Sequence, residues 1–198
     1  MPMNTVPAFE KWFGASKVVD AKGAPLVVYH GTGFDFDTFD NAKLGLTTGN
    51  PTAVWGHAFA SNKEYANGMA RSYAGNGRAA PNVLPVYLSL ANPYEMTYAE
   101  MTEFQSLGSP PWDGKLEALR EKALAFKATL LSDGYDGIIM RTKAPLGDVR
   151  DHNEFIAFHA SQIKSALGNN GDFDGANTDI RFSLADLDEA IGTEAPCP

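Results

Sequence analysis

The sequence contains a single cysteine, Cys197, near its C-terminal end. One thiol cannot form a disulfide within the chain, and it cannot supply a cysteine-based metal site. The composition therefore fits a reducing compartment, and we expect the protein to act in the cytoplasm, although a protein delivered there by another route would have the same composition.

Long apolar runs are also missing. No stretch approaches the roughly 20 apolar residues that a transmembrane helix needs. The N-terminal segment "MPMNTVPAFEKWFG" has no basic start followed by an apolar run, which a secretion signal would show. We therefore expect neither a secretion signal nor a membrane partner.

Positive charge is scarce and scattered. The chain has 16 Lys and Arg against 24 Asp and Glu, for a formal net charge of −8. Nucleic-acid-binding proteins usually present a basic patch, and the sequence shows none. The charge therefore favours a protein over a nucleic acid as a macromolecular partner.

The signatures of several large enzyme classes are absent. None of the 4 histidines has the helical spacing of a zinc protease, and we expect no metal. The nucleophile elbow, the P-loop and the Rossmann glycine motif are missing as well. The stretch "DFDGANTD" has calcium-type side chains without the closing bidentate glutamate, so it is interpreted as a loop.

The length of 198 residues and the 44% hydrophobic content suit one globular domain. We expect residues 1–184 to form it, with a lead-in helix over 7–13, and residues 185–198 to form a partly disordered helix and tail. Strand patterns interrupted by few helices favour an α+β fold. Periodicity and turn signals predict helices over 61–73, 112–133 and 182–192, and strands over 16–30 (two, around a turn at 20–23), 57–61, 83–90, 137–141 and 153–159.

The expected boundaries rest on individual residues. Ser61 followed by Glu64 has the spacing of a capping box at a helix start. Pro85 predicts an edge strand or a bulge. The segments 45–56 and 142–152 are interpreted as loops, and "ASQIKSA" from residue 160 as the beginning of a helical turn.

Two residues stand out as candidates for chemistry. His30 follows the apolar run "LVVY" and precedes a Gly-Thr step, and Glu154 begins the mostly apolar "NEFIAF". Each alone has an ordinary explanation, as a hydrogen-bonded core histidine and as a solvent-facing glutamate. Their significance depends on the motifs around them.

Taken in order, "YHGT", "GHAFAS" and "NEFIAF" resemble the ADP-ribosyltransferase fold in its His-Tyr-Glu branch, which includes diphtheria toxin and the poly(ADP-ribose) polymerases. The flanks "FEKWFGASKVVDAKGAPLVVYHGT" and "SQIKSALGNNGDFD" resemble the transferase domains of phage and prophage polyvalent proteins. The resemblance covers roughly residues 8 to 184. It implies an α+β fold with split, mixed β-sheets and flanking helices.

The resemblance also implies roles for residues around a bound NAD+. His30 would contact a ribose hydroxyl, the Gly31 backbone would hold the nicotinamide carboxamide, and the Thr32 hydroxyl would lie towards the adenosine. Glu154 would bind the 2′-hydroxyl of the nicotinamide ribose and stabilise charge as nicotinamide leaves. Phe59 and Ser61 would belong to the second motif of the pocket.

The aromatic residue that would stack on nicotinamide is less clear from the motifs. The usual spacing leads to Met69, while Tyr65 and Tyr73 lie one helical turn to either side. The "ARSYA" stretch favours Tyr73, with Tyr65 in reserve, and Met69 could itself pack on a ring. Ordinary helix packing would also explain all three residues.

Other candidates have simpler explanations. His57, with the loop 45–56, could contact substrate, although an exposed loop histidine is the simpler interpretation. Arg141 and Arg150 could bind the pyrophosphate or lie on the surface without a ligand.

The resemblance implies transfer of single ADP-ribose units from NAD+ to a macromolecule, by a toxin or a phage-type modifier acting in a bacterial host. An NAD glycohydrolase and a catalytically inactive binding module remain as alternatives.

Overall fold

The computed structural model describes residues 7–46, 48, 50–74, 80–106, 115–141, 152–168, 173 and 178–180. Within these residues lie four α-helices: α1 (Pro7–Phe13), α2 (Lys63–Ala74), α3 (Tyr98–Ser106) and α4 (Leu116–Ser132). The seven strands are β1 (Val28–Thr32), β2 (His57–Ala60), β3 (Asn82–Leu88), β4 (Pro93–Met96), β5 (Gly137–Arg141), β6 (Asn153–Ala157) and β7 (Ile163–Ser165).

The strands form one mixed sheet in the order β4-β5-β6-β2-β1-β3-β7. Only β4 and β5 pair in parallel among these neighbours. The junction between β2 and β1 is narrow, since Tyr29↔Ala60 is its one Cα pair. The sheet therefore consists of two blocks, β4-β5-β6-β2 and β1-β3-β7, and the predicted α+β class with a split, mixed sheet is confirmed.

The helices cover the sheet through small or apolar side chains. In α2 the buried residues are Ala66 and Ala70, which let its backbone approach β1 closely. In α4 the buried residues are Leu119, Ala123 and Leu130, which follow the predicted helical periodicity. Of these, Ala123 and Leu130 belong to a cluster with the fully buried Trp55 and residues of β4, β5 and β6.

Helix α1 has the predicted bounds and ends at Gly14, whose φ of +50° lies in the left-handed region. Its Phe9 packs edge-on against Tyr87 of β3, with ring centroids 5.0 Å apart. The lead-in helix is thus attached to the β1-β3-β7 block by an aromatic cluster.

The residue predicted to cap the start of α2, Ser61, is wrong, because Asn62 is the cap. The Oδ1 atom of Asn62 accepts the backbone N–H groups of Glu64 and Tyr65, at 2.8 and 3.2 Å. Ser61 instead lies against β6, where its Oγ accepts the N–H of Asn153 at 2.9 Å. Asparagine and serine are equally good caps, so the sequence did not distinguish the two positions.

The prediction of an edge strand or a bulge at Pro85 is also wrong, because β3 pairs with both β1 and β7 and its register with β1 is uninterrupted. Pro85 is tolerated because its backbone faces the end of the β7 ladder. Its carbonyl accepts the N–H of Ala166, beyond the last paired residue of β7, so no partner strand requires its missing N–H.

Three further predictions need correction. The segment 16–25 forms a turn with an isolated bridge, Val19↔Pro25, in place of a full strand. The loop 45–56 contains a 3-10 helix, Pro51–Val54, and the turn expected after residue 160 is a 3-10 helix, Ala160–Gln162, that leads directly into β7. Strand β4 and helix α3 had no sequence signal strong enough to predict them.

Residues 142–151 of the loop predicted over 142–152 lie outside the described residues, as do the helix predicted over 182–192 and the tail that follows it. The start of the helix predicted over 112–133 does so too, while its described part begins at Leu116.

Candidate active site

A cavity of about 740 Å³ opens where the two blocks of the sheet meet. Its walls come from β1, β2 and α2, from the segment between β1 and β2, and from Glu154 and Ile156 of β6. Volumes of roughly 300–1,000 Å³ are typical of small-molecule sites. The two motifs predicted to act together, around His30 and around Glu154, thus line one cavity from opposite blocks.

His30 is held within β1 by a bond across the narrow junction. Its Nδ1 lies 2.8 Å from the carbonyl oxygen of Ala58 in β2. A carbonyl only accepts, so Nδ1 carries the proton and, in the neutral ring, Nε2 is an acceptor. Burial lowers the pKa of His30, which favours this neutral form.

Aromatic rings fix the His30 side chain from the other directions. The Phe39 ring meets it edge-on with centroids 5.1 Å apart, and Phe59 is tilted against it at 5.5 Å. Phe59 is itself buried in the core, and it also lines the cavity next to His30.

Gly31 and Thr32, which follow His30, contribute both to the packing of the fold and to the wall of the cavity. Gly31 faces α2 so closely that an added Cβ would lie 2.0 Å from the carbonyl oxygen of Ala66. The Thr32 Oγ1 accepts the N–H of Phe34 at 3.2 Å, which shapes the exit from β1. Gly31 and Thr32 both line the cavity, whereas Ser61 is not among its described lining residues and links β2 to β6.

Glu154 lies at the start of β6, with its side chain 26% exposed. Its Oε1 receives two hydrogen bonds: one from Nε2 of His152 at 3.1 Å and a long one from the Tyr65 hydroxyl at 3.4 Å. The carboxylate is therefore oriented by neighbours, unlike a glutamate that simply faces water.

The sequence interpretation missed His152. Residues 152 and 154 lie two apart at the start of a strand, and this spacing puts their side chains on the same face. That alternation is the signal that could have paired His152 with Glu154.

Tyr65, Met69 and Tyr73 all line the cavity, as one stripe along α2. The Tyr65 ring is stacked on His152, with centroids 3.8 Å apart and planes 26° apart. Burial and the nearby Glu154 charge raise the pKa of Tyr65 to about 12, and the same two causes raise the pKa of Tyr73. Both hydroxyls therefore remain protonated donors at neutral pH.

The interpretation of His57 as an exposed loop residue is wrong. His57 is buried in β2, and its Nε2 donates to Oδ1 of Asn41 at 2.8 Å. Asn41 in turn donates to the carbonyl of Phe158 at 3.1 Å. Burial, and then the nearby His30 and Lys127, lower the pKa of His57 to about 4, so the ring is neutral and supports the cavity wall.

Among the described lining residues, Lys43 supplies the only cationic side chain of the cavity. Arg141, one of the two predicted candidates for pyrophosphate binding, forms an exposed ion pair with Glu95 through contacts of 3.1 and 3.2 Å. The other candidate, Arg150, lies outside the described residues.

The described part of the chain contains no group of three or more His, Cys, Asp or Glu side chains that could hold a metal ion. None of its described helices is long and apolar enough to cross a membrane.

The mixed sheet of two blocks, with its flanking helices and the cavity at their junction, is that of an α+β ADP-ribosyltransferase fold. A family model described as ADP-ribosyltransferase in polyvalent proteins matches residues 20–173, and the chain belongs to this family. No curated protein and no solved structure matches the chain significantly. Membership of the family supports ADP-ribosylation as the general activity, with NAD+ as the substrate of the family.

Proposed function

We propose that the protein cleaves NAD+ and transfers its ADP-ribose to a macromolecular acceptor, with release of nicotinamide. One observation carries the proposal: His30 and Glu154 come from opposite blocks of the sheet and line the same cavity. Family membership alone would leave open whether this chain keeps the necessary side chains.

The cavity suits NAD+ in its size and in its polar groups. Nε2 of neutral His30 can accept a hydrogen bond from a ribose hydroxyl, because Nδ1 is already bound to Ala58. Lys43 supplies a positive charge for the pyrophosphate, and the apolar side chains of Met69 and Phe59 suit the flat faces of a ring.

Glu154 is the proposed catalytic residue. The bond between the ribose anomeric carbon and the nicotinamide nitrogen breaks, and its electron pair leaves with nicotinamide. An acceptor atom donates a pair to the same carbon and loses its proton to Glu154 or to water. Because positive charge develops on the ribose, a fixed carboxylate beside it lowers the barrier, most effectively where water is excluded.

The class of acceptor follows from charge. A net charge of −8 makes a polyanionic nucleic acid a poor partner, so we propose a protein acceptor. We also propose that one ADP-ribose is added per site, and that the chain acts in the bacterial cytoplasm as a toxin or a phage-type modifier of host machinery.

The decisive experiment is transfer of label from NAD+ into a bacterial lysate, followed by protease and nuclease digestion. We expect Glu154→Ala to reduce labelling about 100-fold or more, since it removes the charge that stabilises the transition state. Glu121→Ala, an exposed glutamate on α4, is the matched control and should retain wild-type labelling.

The outcomes separate the alternatives. Label found only in free ADP-ribose would identify an NAD glycohydrolase, because the two activities need the same donor pocket. Intact NAD+ with no label in any fraction would contradict catalysis and favour a binding module. Label released by nuclease would contradict the protein acceptor, and a ladder of products would contradict single-unit transfer.

A further inference from the structure

We propose that His152 is a positioning residue, which holds the Glu154 carboxylate in place for the reaction. This inference rests on the proposed function, since it assigns a task to the neighbour of the proposed catalytic residue. It comes from a contact that neither the motifs nor the family match identified.

The first observation is the hydrogen bond itself. Nε2 of His152 lies 3.1 Å from Oε1 of Glu154, and the His152 side chain is only 4% exposed. Because an ionised carboxylate only accepts, Nε2 is the protonated nitrogen. Both bonds to Glu154 reach Oε1, so Oε2 takes part in neither and can receive a hydrogen bond from substrate.

The second observation is the ring stack. His152 and Tyr65 lie face to face with centroids 3.8 Å apart, which occupies one face of the Tyr65 ring. The Tyr65 hydroxyl in turn points to the same Oε1 atom. The three side chains thus contact one another, and His152 contacts both of the others.

The third observation is the backbone between the two residues. Two hydrogen bonds join Asn153 to Ser61. The Asn153 N–H donates to the serine Oγ at 2.9 Å, and the Asn153 carbonyl accepts the serine N–H at 2.9 Å. This clamp joins the start of β6 to the end of β2. His152 and Glu154 therefore project from a fixed backbone, which makes their relative geometry reproducible.

A purely structural role for His152 predicts a loss of stability and no specific effect on turnover. Two substitutions separate the roles. His152→Gln keeps an N–H donor near the position of Nε2 and loses the ring. His152→Phe keeps a ring for Tyr65 and loses the donor.

Release of nicotinamide from NAD+ is measured for the wild type and both variants, with thermal unfolding as the check on folding. We expect kcat to fall about 10- to 100-fold in His152→Phe, as for the loss of a hydrogen bond to a charged group, with KM changed less than about threefold. His152→Gln should retain kcat within about fivefold. Wild-type kcat in His152→Phe, or an equal loss in both folded variants, would overturn the proposal.

A second readout does not depend on turnover. The 15N shifts of the His152 ring should show a protonated Nε2 in the wild type and should change in Glu154→Ala. A wild type that releases no nicotinamide contradicts the proposed function. In that case unchanged ring shifts in Glu154→Ala would also overturn the His152–Glu154 bond, and changed shifts would support it.

Discussion

Gly31 shows how one residue serves packing and the cavity together. Its missing side chain allows the α2 backbone to lie against β1, since an added Cβ would be 2.0 Å from the Ala66 carbonyl oxygen and 3.0 Å from the Ala70 nitrogen. Backbone atoms of a helix cannot move aside singly, so a larger residue must displace the helix. The same helix carries one wall of the cavity.

We therefore expect Gly31→Ala to lower the free energy of unfolding by about 3 kcal/mol, which is the upper range for overpacking a well-packed site. Chemical denaturation measures this loss. Gly68→Ala is the matched control, because Gly68 lies in α2 and, apart from its chain neighbours and the backbone of its own helix, no described atom lies within 4 Å of an added Cβ. It should raise the stability by roughly 0.5–1 kcal/mol, as for glycine replaced within a helix. Equal stabilities for the two variants would contradict the close contact at Gly31.

At the scale of elements, α2 carries the three candidates for stacking on nicotinamide under the proposed function. Tyr65 is stacked on His152, which occupies one face of its ring, and Met69 and Tyr73 follow it along the same cavity-lining stripe. Of the two tyrosines, the occupied face of Tyr65 favours Tyr73, the residue that the "ARSYA" motif had suggested.

Substitutions along α2 test this assignment. We expect Tyr73→Leu to raise the KM for NAD+ about 10-fold through loss of ring stacking, and Tyr73→Phe to keep it within about threefold. Met69→Leu, a change of similar volume one turn earlier, is the control and should have little effect. A raised KM in Met69→Leu with an unchanged KM in Tyr73→Leu would assign the stacking position to Met69.

The sequence predicted elements well where the pattern was regular and local. The periodic face of α4, with Leu119, Ala123 and Leu130, is confirmed because burial on one side of a helix imposes that spacing. Strand β3 was predicted, but its position between β1 and β7 was not. A proline is tolerated there because β7, which is distant in sequence, stops pairing with β3 before it reaches Pro85. Strand β4 was missed because it is four residues long and contains a proline and a glutamate.

In the candidate site too, local motifs were predicted and contacts between distant segments were not. The motifs singled out His30 and Glu154, whereas the stacking of Tyr65 on His152 depends on a helix that brings Tyr65 to the start of β6. Asn41 was missed because its link to His57 joins residues from separate elements. Such contacts are tertiary, and spacing within one segment does not encode them.

At the scale of the whole molecule, the two blocks of the sheet meet at a junction supported by neutral histidines. His30 binds the Ala58 carbonyl across it, and His57 connects β2 to Asn41 at the wall of the cavity. Neutral buried histidines make folding sensitive to acid, because the unfolded chain gains protons that the folded chain cannot accept.

The lowered pKa of His57 defines the pH range in which acid reduces the free energy of unfolding. Its pKa is about 4 in the folded protein, against an ordinary value of 6.5, so the contribution to stability is complete above pH 6.5 and is lost as the pH falls towards 4. We expect the wild type to lose about 2 kcal/mol from this group between pH 7 and pH 5. The free energy of unfolding, measured by denaturant titration at both pH values, includes this loss together with that of every other titrating group.

His57→Gln isolates the contribution, because the glutamine amide can donate to Asn41 without gaining a proton. The variant should therefore lose about 2 kcal/mol less than the wild type over the same pH range, whatever its stability at pH 7. Burial also lowers the pKa of His30, which is present in both proteins and contributes to the loss of stability in each. Parallel losses in the two proteins would mean that His57 is not held neutral, and the stability of the junction in acid would then depend on other groups.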